Sequence, residues 1–526
     1  MKYAYCTLFL LLSGCWLGPV QAQTDAVAPV PQQPARLELP LEVYNSEVHL
    51  QAIPEDSSLV LLVEKEAMLS TKPEFYFQRY NHQLQPGAKL PLDVPRQYEF
   101  SQICSEGTDV YALFHSESEP DKLWIVAYDT RTGEVAKAEF ETKLVRHVHN
   151  LKALGGNLFV TVGLEQHLTV LLLDLHTAKF RFLPSVYEPL PATLTFLADS
   201  VTKRAEFILS ESNGFKSRLQ VKQLSDQGKL LHSEFVQAES ERGLISAQLS
   251  PGDSAARLLA GTYTLRDSRY SQGLFATDLT VGTSETGQRH SLRFYDFLNL
   301  KHFFDFMKPA RVERLRQRSQ RLKGTARQYR LRYRLLMHDM IPFQGGYVLV
   351  AEVYYPRYQY GYGTYYNAAA YMPMYSQLSG PYNANRYNRN VDGYRFTHAL
   401  VCAFDRYGNL LWDNSFLLKD VETGELAETV RVRPMPDGKR LVLSYLYEDK
   451  LRYKIIDQAT PAPNDLAAPL RTAQETKGKP EKTLDTSQSE LQAWYGSRFL
   501  AYGYQRVRSA DNNARSVFFI NSIAFE

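Results

Sequence analysis

Cysteine is scarce: four in 526 residues, of which Cys6 and Cys15 lie in the first sixteen positions. The other two, Cys104 and Cys402, sit far apart in apolar stretches, so no cysteine spacing suits a metal site. The two are expected as buried free thiols, with a disulfide as the alternative an exported chain allows. Charge of one sign is also missing, since 60 Lys and Arg face 57 Asp and Glu for a net +3. No global field therefore favours nucleic acid, and no nucleic-acid partner is expected. Beyond the N-terminus no run approaches the roughly 18 apolar residues of a membrane helix, so the mature chain is read as having no transmembrane segment. No glycine-rich phosphate loop, nucleophile elbow or HExxH helix occurs, and no cofactor or metal is expected.

What is present begins with an address. Lys2, an apolar run through Leu12 and the small residues before Val20-Gln21-Ala22 read as an export signal spanning 1–22 and cleaved after Ala22. The alternative is Leu12-Ser13-Gly14-Cys15, which resembles a bacterial lipobox and would place a lipid on Cys15. Either way the mature chain is expected outside the cytoplasm: periplasmic, outer-membrane-associated or extracellular. Residues 23–35, rich in Pro and Gln, are expected as a disordered leader.

From there one pattern recurs: a half-apolar segment, a turn with Pro, Asp or Gly, then a strongly apolar strand. It starts at His49, Phe100, His149, Leu194, Ser246, Leu336, Arg431 and Leu491, at intervals of 51, 49, 45, 52, 90, 95 and 60 residues. Turns such as Asp129–Gly133 and Asp405–Gly408 follow several second strands and place glycine where φ is positive. About four short strands per 40–50 residues are the signature of a β-propeller, because one four-stranded sheet cannot bury both faces alone. The fold class is therefore all-β, a propeller over 36–526 with eight blades, or seven if one match is accidental. Two or three unrelated β-sandwiches are the competing architecture. The last repeat has three strands, and the run from Leu37 can supply its fourth. A helical, basic and Tyr-rich insertion is expected between blades five and six, at 290–335 and 355–393, and a disordered polar linker at 458–489.

The repeat, together with YRFTHALVCAFDRYGNLLWDNSF from Tyr394, resembles uncharacterised exported propeller-like proteins of Gram-negative bacteria. The resemblance implies the fold and the address. It brings no activity and no catalytic residue.

Two compositional outliers lie in the insertions. From Lys308 to Arg334 eleven Lys or Arg face one acid, Glu313, so the segment carries +10 and the remainder −7. Pro309 to Leu322 is expected as a helix, with Pro at its start and Gly324 past its end. From Gln328 to Arg334 the period becomes two, with Tyr329, Leu331 and Tyr333 opposite Arg330, Arg332 and Arg334. Arg314, Arg318, Arg321, Arg330, Arg332 and Arg334 can contact an anionic surface, or simply face water and block edge pairing. Tyr354 to Tyr394 holds twelve of the 34 tyrosines among Gly, Asn, Ala and Pro. Tyr360, Tyr362, Tyr365, Tyr366, Tyr371 and Tyr375 suit stacking on sugar rings or a protein partner, or form a structural cover.

Titratable candidates are few: His338, Asp339, Glu352 and His398. A His-Asp dipeptide and an isolated Glu in an apolar strand are weak signals for acid–base chemistry, and His147-Val148-His149 lacks a third ligand. The functional expectation is a non-catalytic binding or scaffold module at the cell envelope, with an envelope protein or glycan as partner. The alternative is a carbohydrate-active hydrolase or lyase in the channel, resting on fold analogy. For hydrolysis it would need a carboxylate pair near Asp339 and Glu352, about 5–10 Å apart.

Overall fold

The computed structural model describes residues 29–66, 72–116, 118–142, 145, 147–164, 167–183, 188–189, 193–199, 201–212, 217–238, 240–252, 257–279, 291–322, 329–358, 391–464, 466–472, 475–476, 479–509 and 512–526. Eight antiparallel sheets follow one another around a ring. Blades one to seven span Ser46–Leu92, Glu99–Glu141, His147–Phe182, Thr193–Val236, Gly243–Asp296, Arg334–Leu417 and Arg431–Pro469. The eighth combines Lys482–Ala493, Arg498–Arg508 and Ala514–Ala524 with the N-terminal strand Gln32–Leu39. Each of the eight repeat starts lies on the first strand of a blade.

Burial explains the sequence pattern. The second strand of blade one, Ser58–Lys65, has Leu59 to Val63 wholly buried, and every residue of Leu258–Thr264 in blade five is buried. Such strands are covered on both faces by neighbouring blades, so they read as continuous apolar runs. Outer strands such as Pro86–Leu92 and Val135–Glu141 meet water and are mixed. The core divides into eight clusters, one between each adjacent pair of blades. Removing one blade would expose two of them, and the ring is the arrangement that leaves none open.

Closure is made by the chain's two ends. Leu37 faces Ile520 across an antiparallel ladder, and the Arg36 guanidinium donates to Glu38, Gln505, Asn521 and the carbonyl of Arg471. This strand starts at Gln32, so 32–35 are not the unstructured leader expected from their Pro and Gln content. Pairing at the outer edge of a sheet tolerates Pro34, whose missing N–H costs no ladder bond there. The polar segment 458–489 is corrected likewise. It supplies Leu466–Pro469 to blade seven and the first part of Lys482–Ala493 to blade eight. Its alternation of Thr, Asp, Ser and Gln is that of a half-exposed strand rather than a linker.

First strands of neighbouring blades approach one another around a central channel. Because strands alternate in direction, second-to-third turns and blade-to-blade connections share one face of the ring. First-to-second turns share the other. On the latter face, carboxylates tie blades together: Glu106 of blade two accepts the N–H groups of Gly155 (2.7 Å) and Gly156 (3.0 Å) in blade three. Both glycines have positive φ, 63° and 76°, which turns their N–H groups toward it. Asp199 of blade four accepts from Gly252 of blade five in the same way.

Helix α1, Pro309–Leu322, is the single α-helix among the described residues and connects blades five and six. Cys104 and Cys402 are free thiols in blades two and six, and burial pushes the Cys104 thiol up to about 12.

Candidate functional site

One face of the ring, that of the blade connections, carries a cavity of about 1110 Å³ at the channel mouth. Blades one, two, seven and eight and the connection between blades six and seven enclose it. Its lining contains Glu47, Asp420, Glu422, Glu425, Glu428, Glu448 and Glu490 against one guanidinium, Arg431. Arg431 is engaged: it donates to Glu428 at 2.7 Å and to the carbonyl of Leu491 at 2.9 Å. Aromatic surface comes from Phe100, against which the His49 ring stacks at 3.7 Å, and from Tyr502, whose hydroxyl donates to Glu490 at 2.6 Å.

Electrostatics follow from this imbalance. Burial holds His49 down at about 4, so its imidazole is neutral and offers the carboxylates no charge. Beside Glu47 on the next strand stands Glu64, pushed up to about 7 by burial and then by Glu47, Glu99 and Glu66. Like charges crowded in partial burial disfavour one another's ionised forms.

The expected titratable residues divide. His338 and Glu352 meet inside blade six: His338 Nε2 lies 2.8 Å from Glu352 Oε1, and Glu352 is completely buried. The same oxygen accepts the backbone N–H groups of Thr429 and Val430, each at 2.8 Å. Glu352 therefore pins the connection that carries Glu428 and Arg431 into the cavity wall. Glu428 in turn reaches within 4.0 Å of His338 Nδ1. Although burial opposes it, the hydrogen bond to Glu352 and the charges of Glu428 and Glu352 leave His338 above its ordinary value.

Asp339 points elsewhere. It is exposed, and its carboxylate lies 3.8 Å from Lys152 on the first strand of blade three, with which it spans the channel. The two carboxylates expected to work together thus have different partners: Asp339 is exposed beside Lys152, and Glu352 is completely buried against His338. His398 is also separate. Its ring packs on Phe306 at 4.3 Å and Phe303 at 5.1 Å, and burial lowers it to about 3, leaving a neutral aromatic filler. His147 and His149 stand 6.4 Å apart, and among the described residues no three His, Cys, Asp or Glu side chains group as metal ligands.

Blade six carries the longest hairpin of the ring, Gly346–Tyr358 with Val391–Phe404. Inner-strand pairing ends at Arg334 with Tyr354, so Tyr355 to Tyr358 continue past it by about 13 Å. Its base is fastened to the cavity rim: Tyr394 pairs with Thr423, and Arg357 bonds Asp392 at 2.9 Å and also Glu422. Tyr360, Tyr362, Tyr365, Tyr366, Tyr371 and Tyr375 lie outside the described residues. Their attachment points, Tyr358 and Val391, stand on the cavity face. On the same face, Leu331 and Tyr333 are buried while Arg330 and Arg332 are exposed, the alternation expected there. Arg334 lies over the Tyr270 ring.

The cavity carboxylates were missed in the sequence because they are spread over several blades and meet only when the ring closes. The one local signal was the acidic run from Asp420 to Glu428.

No family model and no curated protein matches the sequence. Solved structures do match, at low identity and low structural overlap. One is a prolyl endopeptidase studied for inter-domain dynamics in catalysis and specificity, at 10% identity and TM-score 0.39, over 87% of this chain and 53% of that one. Another is the polysaccharide lyase Uly1, at 8% identity and TM-score 0.37, over 81% and 89%. A third is a DUF4221 family member from Bacteroides vulgatus, at 10% identity and TM-score 0.31, over 80% and 93%. This chain spans about half the length of that prolyl endopeptidase.

Proposed function

We propose that this chain is a non-catalytic binding module of the cell envelope, exported through its N-terminal segment. Its partner is a glycan or protein grasped by the tyrosine-rich segment 359–390 beside the channel mouth. The observation that carries the reading is the blade-six hairpin, which presents both ends of that segment at the rim of a cavity of about 1110 Å³. Tyrosine offers broad contact area and a hydroxyl at low entropic cost, and the Gly and Asn around it let the chain adapt. The export element of the reading rests on Lys2, the apolar run and Val20-Gln21-Ala22.

A glycoside hydrolase would need two carboxylates flanking one bond. Of the two that the sequence suggested, Glu352 is already engaged by His338 and by the backbone N–H groups of Thr429 and Val430. The binding reading is tested with a glycan array and an envelope-extract pull-down. The parent chain is compared with a variant in which 359–389 is replaced by a short Gly-Ser linker. Loss of a ligand in a variant that melts like the parent supports recognition by the segment. Equal binding by both chains, or by neither, overturns it.

A further inference from the structure

We propose that the arginine face of α1, with the neighbouring exposed tyrosines of the blade-six hairpin, docks the propeller on an anionic lipid bilayer, independently of the ligand held at the cavity. Arg311, Arg314, Arg318 and Arg321 are all exposed. At 100° per residue they fall within about 80° of arc and form a row about 15 Å long. Val312 and Leu315 hold the helix on the aromatic cluster between blades five and six, and the exposed row runs along the flank of that contact, with Arg318 over the Tyr329 ring at 5.7 Å.

The row is locally unfavourable. Like charges three and four residues apart repel one another, and a helix start favours acids, yet the first turn has none. The helix's acid, Glu313, accepts from Gln317, and none of the four guanidiniums has an ion pair among the described residues. Elsewhere on the protein several exposed arginines are met locally by an acid: Arg218 by Glu211, Arg269 by Asp267, Arg440 by Asp437. Arg321 suits the last turn, Arg314 bonds the Ala310 carbonyl and Arg318 lies over Tyr329, but no acid meets the row, and four crowded cations without a counter-charge point to one from outside the fold.

The chemistry favours phosphate arrayed on a surface. Nine of the eleven cations from Lys308 to Arg334 are arginine, whose planar, weakly hydrated fork suits phosphate oxygens. Tyr355 and Tyr358 are exposed beside the helix, and the Tyr355 ring lies 6.5 Å from Tyr333 in the cluster on which α1 rests. Tyrosine next to cations is the composition of a headgroup-level anchor. The whole chain carries only +3, so a nucleic-acid strand would find no wider positive field beyond the row.

The test is sedimentation of the purified full-length chain with phosphatidylcholine vesicles and with vesicles containing about one-third phosphatidylglycerol, in low and high salt, with a duplex DNA competitor as a separate arm. The comparison protein is R311Q/R314Q/R318Q/R321Q, with its melting curve measured alongside. Glutamine keeps the helix-forming stem and relieves the repulsion, so this variant is expected to fold. The expected result is binding to the anionic vesicles only, falling steeply with salt, and at least tenfold weaker in the variant. Equal binding to both vesicle types, no binding to either, an unchanged affinity in the variant, or tighter binding to DNA than to vesicles overturns the proposal.

Discussion

Glu352 and His338 share a 2.8 Å contact in the interior of blade six, and the same fully buried carboxylate holds the backbone of Thr429 and Val430 in the connection to the next blade. Replacing Glu352 by Ala would leave an imidazole and two backbone N–H groups without their acceptor. A loss of about 3 kcal/mol is expected, within the range for breaking a buried pair from one side. The raised His338 contributes stability that is full below about pH 6.5 and fades as pH climbs through its folded value. Urea midpoints of parent and E352A across pH 5–9 should therefore differ most at the acid end. An equal difference at every pH would refute the ionic part of this account.

Trp494 closes the ring where blade eight meets blade one. It is fully buried, and its indole N–H donates to the carbonyl of Ser58 at 2.9 Å. Trp494→Ala should cost about 3–5 kcal/mol, and Trp494→Phe less, since Phe keeps most of the volume and gives up the hydrogen bond. Thermal melting of both variants orders the two terms. Equal losses would assign the whole effect to the hydrogen bond.

How much of this was legible beforehand follows from how each feature is encoded. The blades were readable because a doubly covered strand must be apolar along its length, as in Leu258–Thr264, and α1 was readable from Pro309 and its period. The chain's ends were harder. Gln32 to Ala35 and Lys482 to Ser489 are too polar to look like strands, and they form because a partner strand already supplies the core. Glu352 was visible as an odd residue in VLVAEVYY. Its partners were not, since Thr429 and Val430 lie in the connection to the following blade and no local rule links them to it.

Glu106 is predicted to act as an inter-blade tie. Burial works to raise it, but the N–H groups of Gly156 and Gly155 and the Lys203 ammonium together keep it below the usual carboxylate value. That stability is present at neutral pH and is lost as pH falls through the folded value. Glu106→Gln should cost about 1–2 kcal/mol at pH 7 and progressively less below pH 4. A cost that persists undiminished into acid would show that shape rather than charge matters at this joint.

Glu64 should behave in the opposite sense. The folded chain holds its proton up to about pH 7, whereas in the unfolded chain it leaves near 4.5. Between those values the folded state binds the extra proton, so stability declines as pH rises across the window and is level on either side. Glu64→Gln removes the titration, so its stability minus that of the parent should be near zero at pH 4 and positive above pH 7. Because Glu64 is only partly buried, solvent screening limits the gain to roughly 1 kcal/mol or less. The measurement is the difference in denaturation midpoint at pH 4, 6 and 8. A variant less stable than the parent at pH 8 would mean that a cation outside the described residues neutralises Glu64. The negative character assigned to this side of the channel mouth would then be wrong.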